Sequence, residues 1–225
     1  MNIHKVSPST LSFLFEECKA CFWESVVNRR PRPSTPFPSV FNMLDKIEKD
    51  ILKRIPPQDL RLPGLTRPLM RGELVLGDLR VRSTPFLLVN GMEFVFNGKM
   101  DMAYDFEDKT CGILDMKTAQ VKPEYVAKYG RQLNAYRNCL EHPAEGEPEN
   151  VWRMGLVYFT PTRFIGYQPD MEGTLANEGI EFSIQWVEVD FYDVATDPGL
   201  VSILSAVKCP AHESGCGFAA YYGGL

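Results

Sequence analysis

The chain has 225 residues, 44% of them hydrophobic and 24% charged, with a formal net charge of −5 and six cysteines. Nothing in that balance departs from a soluble globular protein with one sizeable core, and no run approaches the roughly 18 apolar residues that span a bilayer. The opening MNIHKVSPST has no apolar stretch of the signal-peptide kind, so the expectation is a cytoplasmic protein, one domain over 1–225, with no membrane attachment.

Charge is unevenly spread. Residues 1–99 carry 15 Lys and Arg against 10 Asp and Glu, and the remainder 9 against 19. The acidic total argues against indiscriminate nucleic-acid binding, while the basic half leaves phosphate contacts open beside ordinary solvated faces.

In chain order, SPSTLSFLFEECKACFWESV begins with capping residues and carries apolar positions at helical spacing, which predicts one helix over 7–26. The Pro-rich basic stretch NRRPRPSTPFP reads as a loop. A second helix is expected over 39–54, stopped by Pro56 and Pro57. Short strands and turns follow over 64–89. The run 91–104 alternates as a long strand, with Met100, Met102 and Tyr104 on one face and Lys99, Asp101 and Ala103 on the other. FEDKTC makes a turn, and in the next strand Ile113, Asp115 and Lys117 share a face, so a hairpin brings Asp101 close to Asp115. KPEYVAKYGRQLNAYRNCLEH is a helix of about five turns with Pro123 near its start, placing Gln132 and Tyr136 on one face. An acidic loop, strands over 151–160 and 180–189, a short helix over 198–207 and a Cys-bearing tail complete the chain. The order implies an α/β fold, a mixed central sheet flanked by helices.

Asp101, Asp115 and Lys117 are the residues that strand propensity does not explain, because an inward carboxylate without a partner costs several kcal/mol. Two neighbouring carboxylates repel unless a cation lies between them, and oxygen-only ligands suit Mg²⁺ or Mn²⁺. One lysine leaves one carboxylate uncompensated, so a dication is expected as the missing counter-charge. The competing reading is an internal salt bridge.

GKMD followed by ILDMKTA and then RQLNAY resembles the G-x-x-D, D-x-K and Q-x-x-x-Y elements of the PD-(D/E)xK nuclease superfamily, in its RecB-like branch, and is similar to the CRISPR-associated iron-sulfur exonucleases. The resemblance implies a restriction-endonuclease-like fold and hydrolysis of DNA phosphodiesters to 5′-phosphates. Exonuclease work in repair or recombination, CRISPR adaptation or phage DNA processing is compatible with it. It also implies that Asp101, Asp115 and the backbone carbonyl of Met116 hold the metal and that Lys117 positions the attacking water. Gln132 and Tyr136 would lean over the site towards that water or the strand. The upstream ligand is assigned to Asp45, with Glu48 one turn away as the fallback. Lys122, Lys128 and Arg131 are candidates for phosphate contact, with solvated surface charge as their other reading. The expected partner is single- or double-stranded DNA, together with a separate helicase where unwinding is needed, since the chain has no Walker loop. A non-catalytic nucleic-acid-binding or assembly module on the same fold is the alternative.

The C-x-x-C pair Cys18 and Cys21 and the late pair Cys209 and Cys216 form a candidate four-cysteine site. It would hold a [4Fe-4S] cluster, as in several relatives of that branch, or alternatively zinc, and would join the two ends of the chain. Cys111 and Cys139 read as structural, and His4, His142 and His212 as isolated side chains with surface or core roles.

Overall fold

The alternating stretch around Asp101 becomes the strand against which four others pair. In the computed structural model, which describes residues 2–33, 38–165 and 179–223, the elements run β1 (Asn2–Val6), α1 (Pro8–Glu17), α2 (Lys19–Val26), α3 (Ser39–Leu52), β2 (Gly72–Arg82), β3 (Leu87–Val89), β4 (Met92–Phe106) and β5 (Thr110–Lys117). They continue with α4 (Pro123–Glu141), β6 (Asn150–Ile165), β7 (Gly179–Glu188), α5 (Pro198–Leu204) and α6 (Ala219–Gly223). The seven strands form one mixed sheet in the order β1-β4-β5-β6-β7, with β2 and β3 also paired to β4. The α/β class expected from the sequence is what the chain adopts.

β2 and β3 follow one edge of β4 almost without interruption. Arg82 pairs with Asn97, the Ser83 N–H donates to the Phe96 carbonyl, the Phe86 N–H to the Phe94 carbonyl, and Leu87 pairs with Phe94. The other edge is left to β1, parallel from Asn2↔Met92 to Val6↔Phe96, and to β5, antiparallel from Asp105↔Cys111 to Met102↔Leu114. Among the described residues no strand pairs with 97–101 on that edge. α1 fills the gap: a Cβ added to Gly98 would lie 2.7 Å from Pro8 Cδ and 3.0 Å from a Tyr136 ring carbon, so this glycine of GKMD is where a helix start meets the strand backbone.

β5 and β6 run parallel to Lys117↔Tyr158, with α4 as the crossover between them. One face of the sheet packs Ala103, Ile113, Leu156 and Tyr158 against Leu133 and Tyr136 of α4. The other packs Met102, Tyr104, Leu114 and Met116 against Leu52, Leu60 and Trp186.

The structure departs from the expected elements in several places. The first helix is two, because Cys18 is extended (φ −163°, ψ 111°) and breaks the run. β1 lies in a stretch assigned no element. β2 is one long strand rather than several short ones, and α5 ends at Leu204. Met100 joins Ala103 on the α4 side rather than Met102 and Tyr104. β2 bulges opposite this point: Leu76 pairs with Met102 and Leu79 with Met100, so two residues of β2 face one of β4, Asp101. Residues 34–37 of the Pro-rich loop lie outside the described residues. No helix among the described residues is long and apolar enough to cross a membrane.

Candidate functional site

Asp101 and Asp115 stand where β4 and β5 part. The ladder between these strands ends at Met102↔Leu114, one pair short of them, while β5 keeps its pairing with β6 to Lys117. Their carboxyls are near enough that the charge of Asp101 acts on Asp115. Asp115 is 2% exposed. Burial pushes its pKa up to about 6, the neighbouring Lys117 opposes that shift, and Asp101 adds to it.

Lys117 Nζ lies 2.5 Å from Asp115 Oδ2 and 4.3 Å from the centre of the Tyr129 ring. Burial works against its positive charge, but Asp115 and Asp101 outweigh that and hold its pKa above the ordinary value. The approach to Oδ2 is off the directions a hydrogen bond needs, so this buried oxygen has a charge beside it and no directed donor. The other oxygen, Oδ1, accepts from Gln132 Nε2 at 3.2 Å, and Gln132 is in turn oriented by the buried Ser12 hydroxyl, 3.3 Å from its carbonyl oxygen. Gln132 therefore reaches the site as expected. Tyr136 lies beside it: its hydroxyl donates to the Lys99 carbonyl at 2.6 Å, bracing α4 against β4, and burial together with the nearby Asp115 and Asp101 charges raises its pKa.

α3 supplies three polar residues on one face, at i, i+3 and i+4. Glu48 is 3% exposed, and its Oε1 accepts from the Thr118 hydroxyl at 2.8 Å; burial raises its pKa, Thr118 offsets part of this, and Asp45 adds to it. Asp45 has a side chain 48% exposed and accepts from Lys49 Nζ at 2.8 Å. The fallback acid is thus the one buried beside the D-x-K strand, and the first choice is the outer one. Lys49 also reaches Asp101 Oδ1 at 3.3 Å. The expectation that Lys117 leaves one strand carboxylate without a counter-charge is corrected here: Asp115 has Lys117 and Asp101 has Lys49. The signal was present in LDKIEK, where the polar face of an amphipathic helix carries two acids and a cation.

These two pairs do not neutralise the site. Asp45, Glu48, Asp101 and Asp115 are four carboxylates against the ammonium groups of Lys49 and Lys117, leaving two negative charges when all are ionised. That deficit equals the charge of one dication.

The proposed phosphate contacts divide. Arg131 is engaged by Glu16, by Asp197 at 3.7 Å and by the Phe15 ring, so it ties α4 to α1 and α5. Lys122 and Lys128 rest on Tyr125 and Phe13, with their ammonium groups 5.4 and 4.5 Å from the ring centres. The arginines of NRRPRP serve the fold: Arg29 donates to the Ile3 carbonyl, Arg30 pairs with Glu24, and Arg32 pairs with Glu17 and stacks on Phe218.

A second constellation joins the two ends of the chain. Among the described residues, Cys18, Cys21, His212 and Cys216 are the His, Cys, Asp or Glu group whose ligand atoms all lie within 4.8 Å of one another. His212 Nδ1 is 3.6 Å from Cys18 Sγ, 3.7 Å from Cys21 Sγ and 3.6 Å from Cys216 Sγ, and the Cys21 and Cys216 sulfurs are 3.4 Å apart. His212 takes the place assigned to Cys209, whose thiol turns to the Ala20 and Pro210 carbonyls and is pushed up to about 11 by burial and the nearby Glu24. The H-x-x-x-C spacing of His212 and Cys216, opposite an early C-x-x-C, is the signal that an inventory of thiols alone passes over. Burial pushes Cys21 up to about 12. At Cys18 burial acts in the same direction, but hydrogen bonds from the Glu213 and Cys21 backbone, with His212 and Cys21 side chains, bring it down to about 6. The group can bind a metal. Cys111 and Cys139 are buried core thiols, His4 donates to the Val26 carbonyl at 3.0 Å, and His142 follows the end of α4.

No protein-family model matches this sequence, and no curated protein matches it. Among solved structures, that of SSO0001 resembles it with a TM-score of 0.49 at 14% identity, over 88% of this chain and 72% of that one.

Proposed function

We propose that this protein is a Mg²⁺- or Mn²⁺-dependent deoxyribonuclease of the PD-(D/E)xK type on a restriction-endonuclease-like sheet. The observation that carries this reading is the pairing of Asp101 and Asp115 at the point where β4 and β5 separate, in a group of carboxylates two charges short of neutrality. Asp101, Asp115, the Met116 carbonyl and Glu48 would hold the dication, with Glu48 preferred to Asp45 because it is the buried acid. When bound, such an ion neutralises charge developing on the phosphodiester and lowers the pKa of water.

The chain's own residues do the rest. Lys117, fixed by Asp115 and Tyr129, holds the attacking water and stabilises negative charge beside it. Gln132, set by Ser12, keeps Asp115 in one orientation. Lys122 and Lys128 offer ammonium groups on the α4 side for a DNA backbone. The test is incubation of purified protein with single- and double-stranded DNA, with and without Mg²⁺ or Mn²⁺. Metal-dependent cleavage that disappears in Asp115→Ala and Lys117→Ala supports the reading, and cleavage retained by either variant contradicts it.

The two acid–lysine pairs are the observation that favours the second reading, a non-catalytic nucleic-acid-binding module whose carboxylates are structural. It requires DNA binding without Mn²⁺ uptake or cleavage.

At the ends of the chain the metal is assigned as zinc. Bonds of about 2.3 Å to sulfur and about 2.0–2.1 Å to nitrogen at tetrahedral angles separate the ligand atoms by about 3.6–3.8 Å. The contacts of 3.4–3.7 Å here match a single ion. A four-iron cubane binds each thiolate through a different iron and needs them further apart, so the spacing favours zinc over a [4Fe-4S] cluster. The zinc would pin the tail to α2 and to the Arg32 loop. Metal analysis of freshly purified protein decides between one zinc per chain and iron.

A further inference from the structure

Lys49 is the side chain whose position the metal-dependent reading does not by itself explain. It stands on Asp101, one of the two acids assigned to the dication, with Nζ 3.3 Å from Oδ1, yet it comes from another element and is also held by Asp45 at 2.8 Å. An ammonium group and a dication compete for the same carboxylate oxygen, because each is attracted by its charge and repelled by the other. Asp101 is therefore occupied by a cation that must yield before the metal is fully bound. Lys117 is different. It is anchored on Asp115 and against Tyr129, follows Asp115 on the same strand and is 17% exposed, whereas Lys49 is 23% exposed and comes from α3.

We propose that Lys49 is a phosphate-binding residue of the cleavage reaction, held on Asp101 in the metal-free protein and turned onto the DNA backbone when the metal displaces it. Asp45 is its positioning residue: it keeps the ammonium at the site after Asp101 lets go, which is why an exposed acid sits one turn before it. The proposal rests on the nuclease reading. It assigns the site a second lysine with a role separate from that of Lys117, and it explains why α3 carries acid, acid and base on one face. A lysine contacting a non-bridging phosphate oxygen stabilises the charge that grows there during hydrolysis.

The test is a calorimetric Mn²⁺ titration of zinc-loaded wild type, Lys49→Ala and Lys49→Arg, alongside single-turnover cleavage of DNA at saturating Mn²⁺. Removing the competing cation should tighten Mn²⁺ binding by about 3- to 10-fold, while removing the phosphate contact should slow cleavage by about 10- to 100-fold. Lys49→Arg should recover most of the rate and return Mn²⁺ affinity towards wild type. A structural lysine does not move the two readouts in opposite directions. Unchanged or weaker Mn²⁺ binding in Lys49→Ala, or an undiminished rate at saturation, overturns the proposal and leaves the nuclease reading standing. A wild type that neither takes up Mn²⁺ at this site nor cleaves DNA overturns both.

Discussion

The carboxylate site and the thiol site are built in opposite ways. Asp101 and Asp115 are 14 positions apart, joined by a tight hairpin, and the register of that hairpin alone places them face to face. Cys18 and Cys216 are separated by nearly the whole chain, and only the packing of α2 against the tail unites them. The first site holds four carboxylates beside two lysines that compensate part of their charge. The second has four soft or borderline ligands at the separations of one tetrahedral ion. On the proposed reading, a metal at the second would serve the fold and a metal at the first would serve the reaction.

That contrast can be broken most forcefully at Asp115 and Lys117. Asp115→Ala or Lys117→Ala should reduce metal-dependent cleavage by at least about 10³-fold with zinc content unchanged, measured by single-turnover assay and metal analysis. At the thiol site the signs reverse: Cys21→Ser or His212→Ala should release the zinc and lower stability by roughly 3 kcal/mol or more in thermal unfolding, while Cys209→Ser retains the metal. Loss of zinc in Cys209→Ser would return that residue to the ligand set.

Asp115 also makes a pH prediction for metal-free protein. Its folded pKa of about 6 lies above the ordinary carboxylate value of 3.8. The folded state therefore holds the proton to higher pH than the unfolded state, and stability falls as pH rises from about 4 to about 6. Denaturant unfolding in the presence of chelator should show that slope, and Asp115→Asn should lack it. A smaller effect is expected on α3: Glu48→Gln should weaken Mn²⁺ binding roughly 10-fold, whereas Asp45→Asn should change it by less than about 3-fold. The reverse ranking would restore Asp45 as the ligand.

The hairpin was readable because alternation of period two, a polar turn and three acid or base residues on one face all agree. The same rule fails at Met100, which packs with Ala103 rather than with Met102 and Tyr104. Lys49 was missed for a related reason. Its acid partners in sequence, at i−4 and i−1, make it look like ordinary helix surface, and only tertiary packing shows that it reaches Asp101 52 positions away. Tyr136 and Arg131 were read as reaching for substrate because their helix was correctly located, but a helix face says nothing of which side chains are already engaged by a strand carbonyl or a neighbouring acid. His212 was passed over because thiols were counted without the imidazole between them.

The central claim is that the carboxylates at the β4–β5 divergence serve phosphodiester hydrolysis through one dication. It is tested most directly by titrating Mn²⁺ into zinc-loaded protein and following, at each concentration, both metal uptake and the appearance of 5′-phosphate ends on DNA. Cleavage that rises in step with occupancy of one Mn²⁺ site, and that Asp115→Asn abolishes together with that site, is the predicted result. DNA bound without Mn²⁺ uptake and left intact would contradict it.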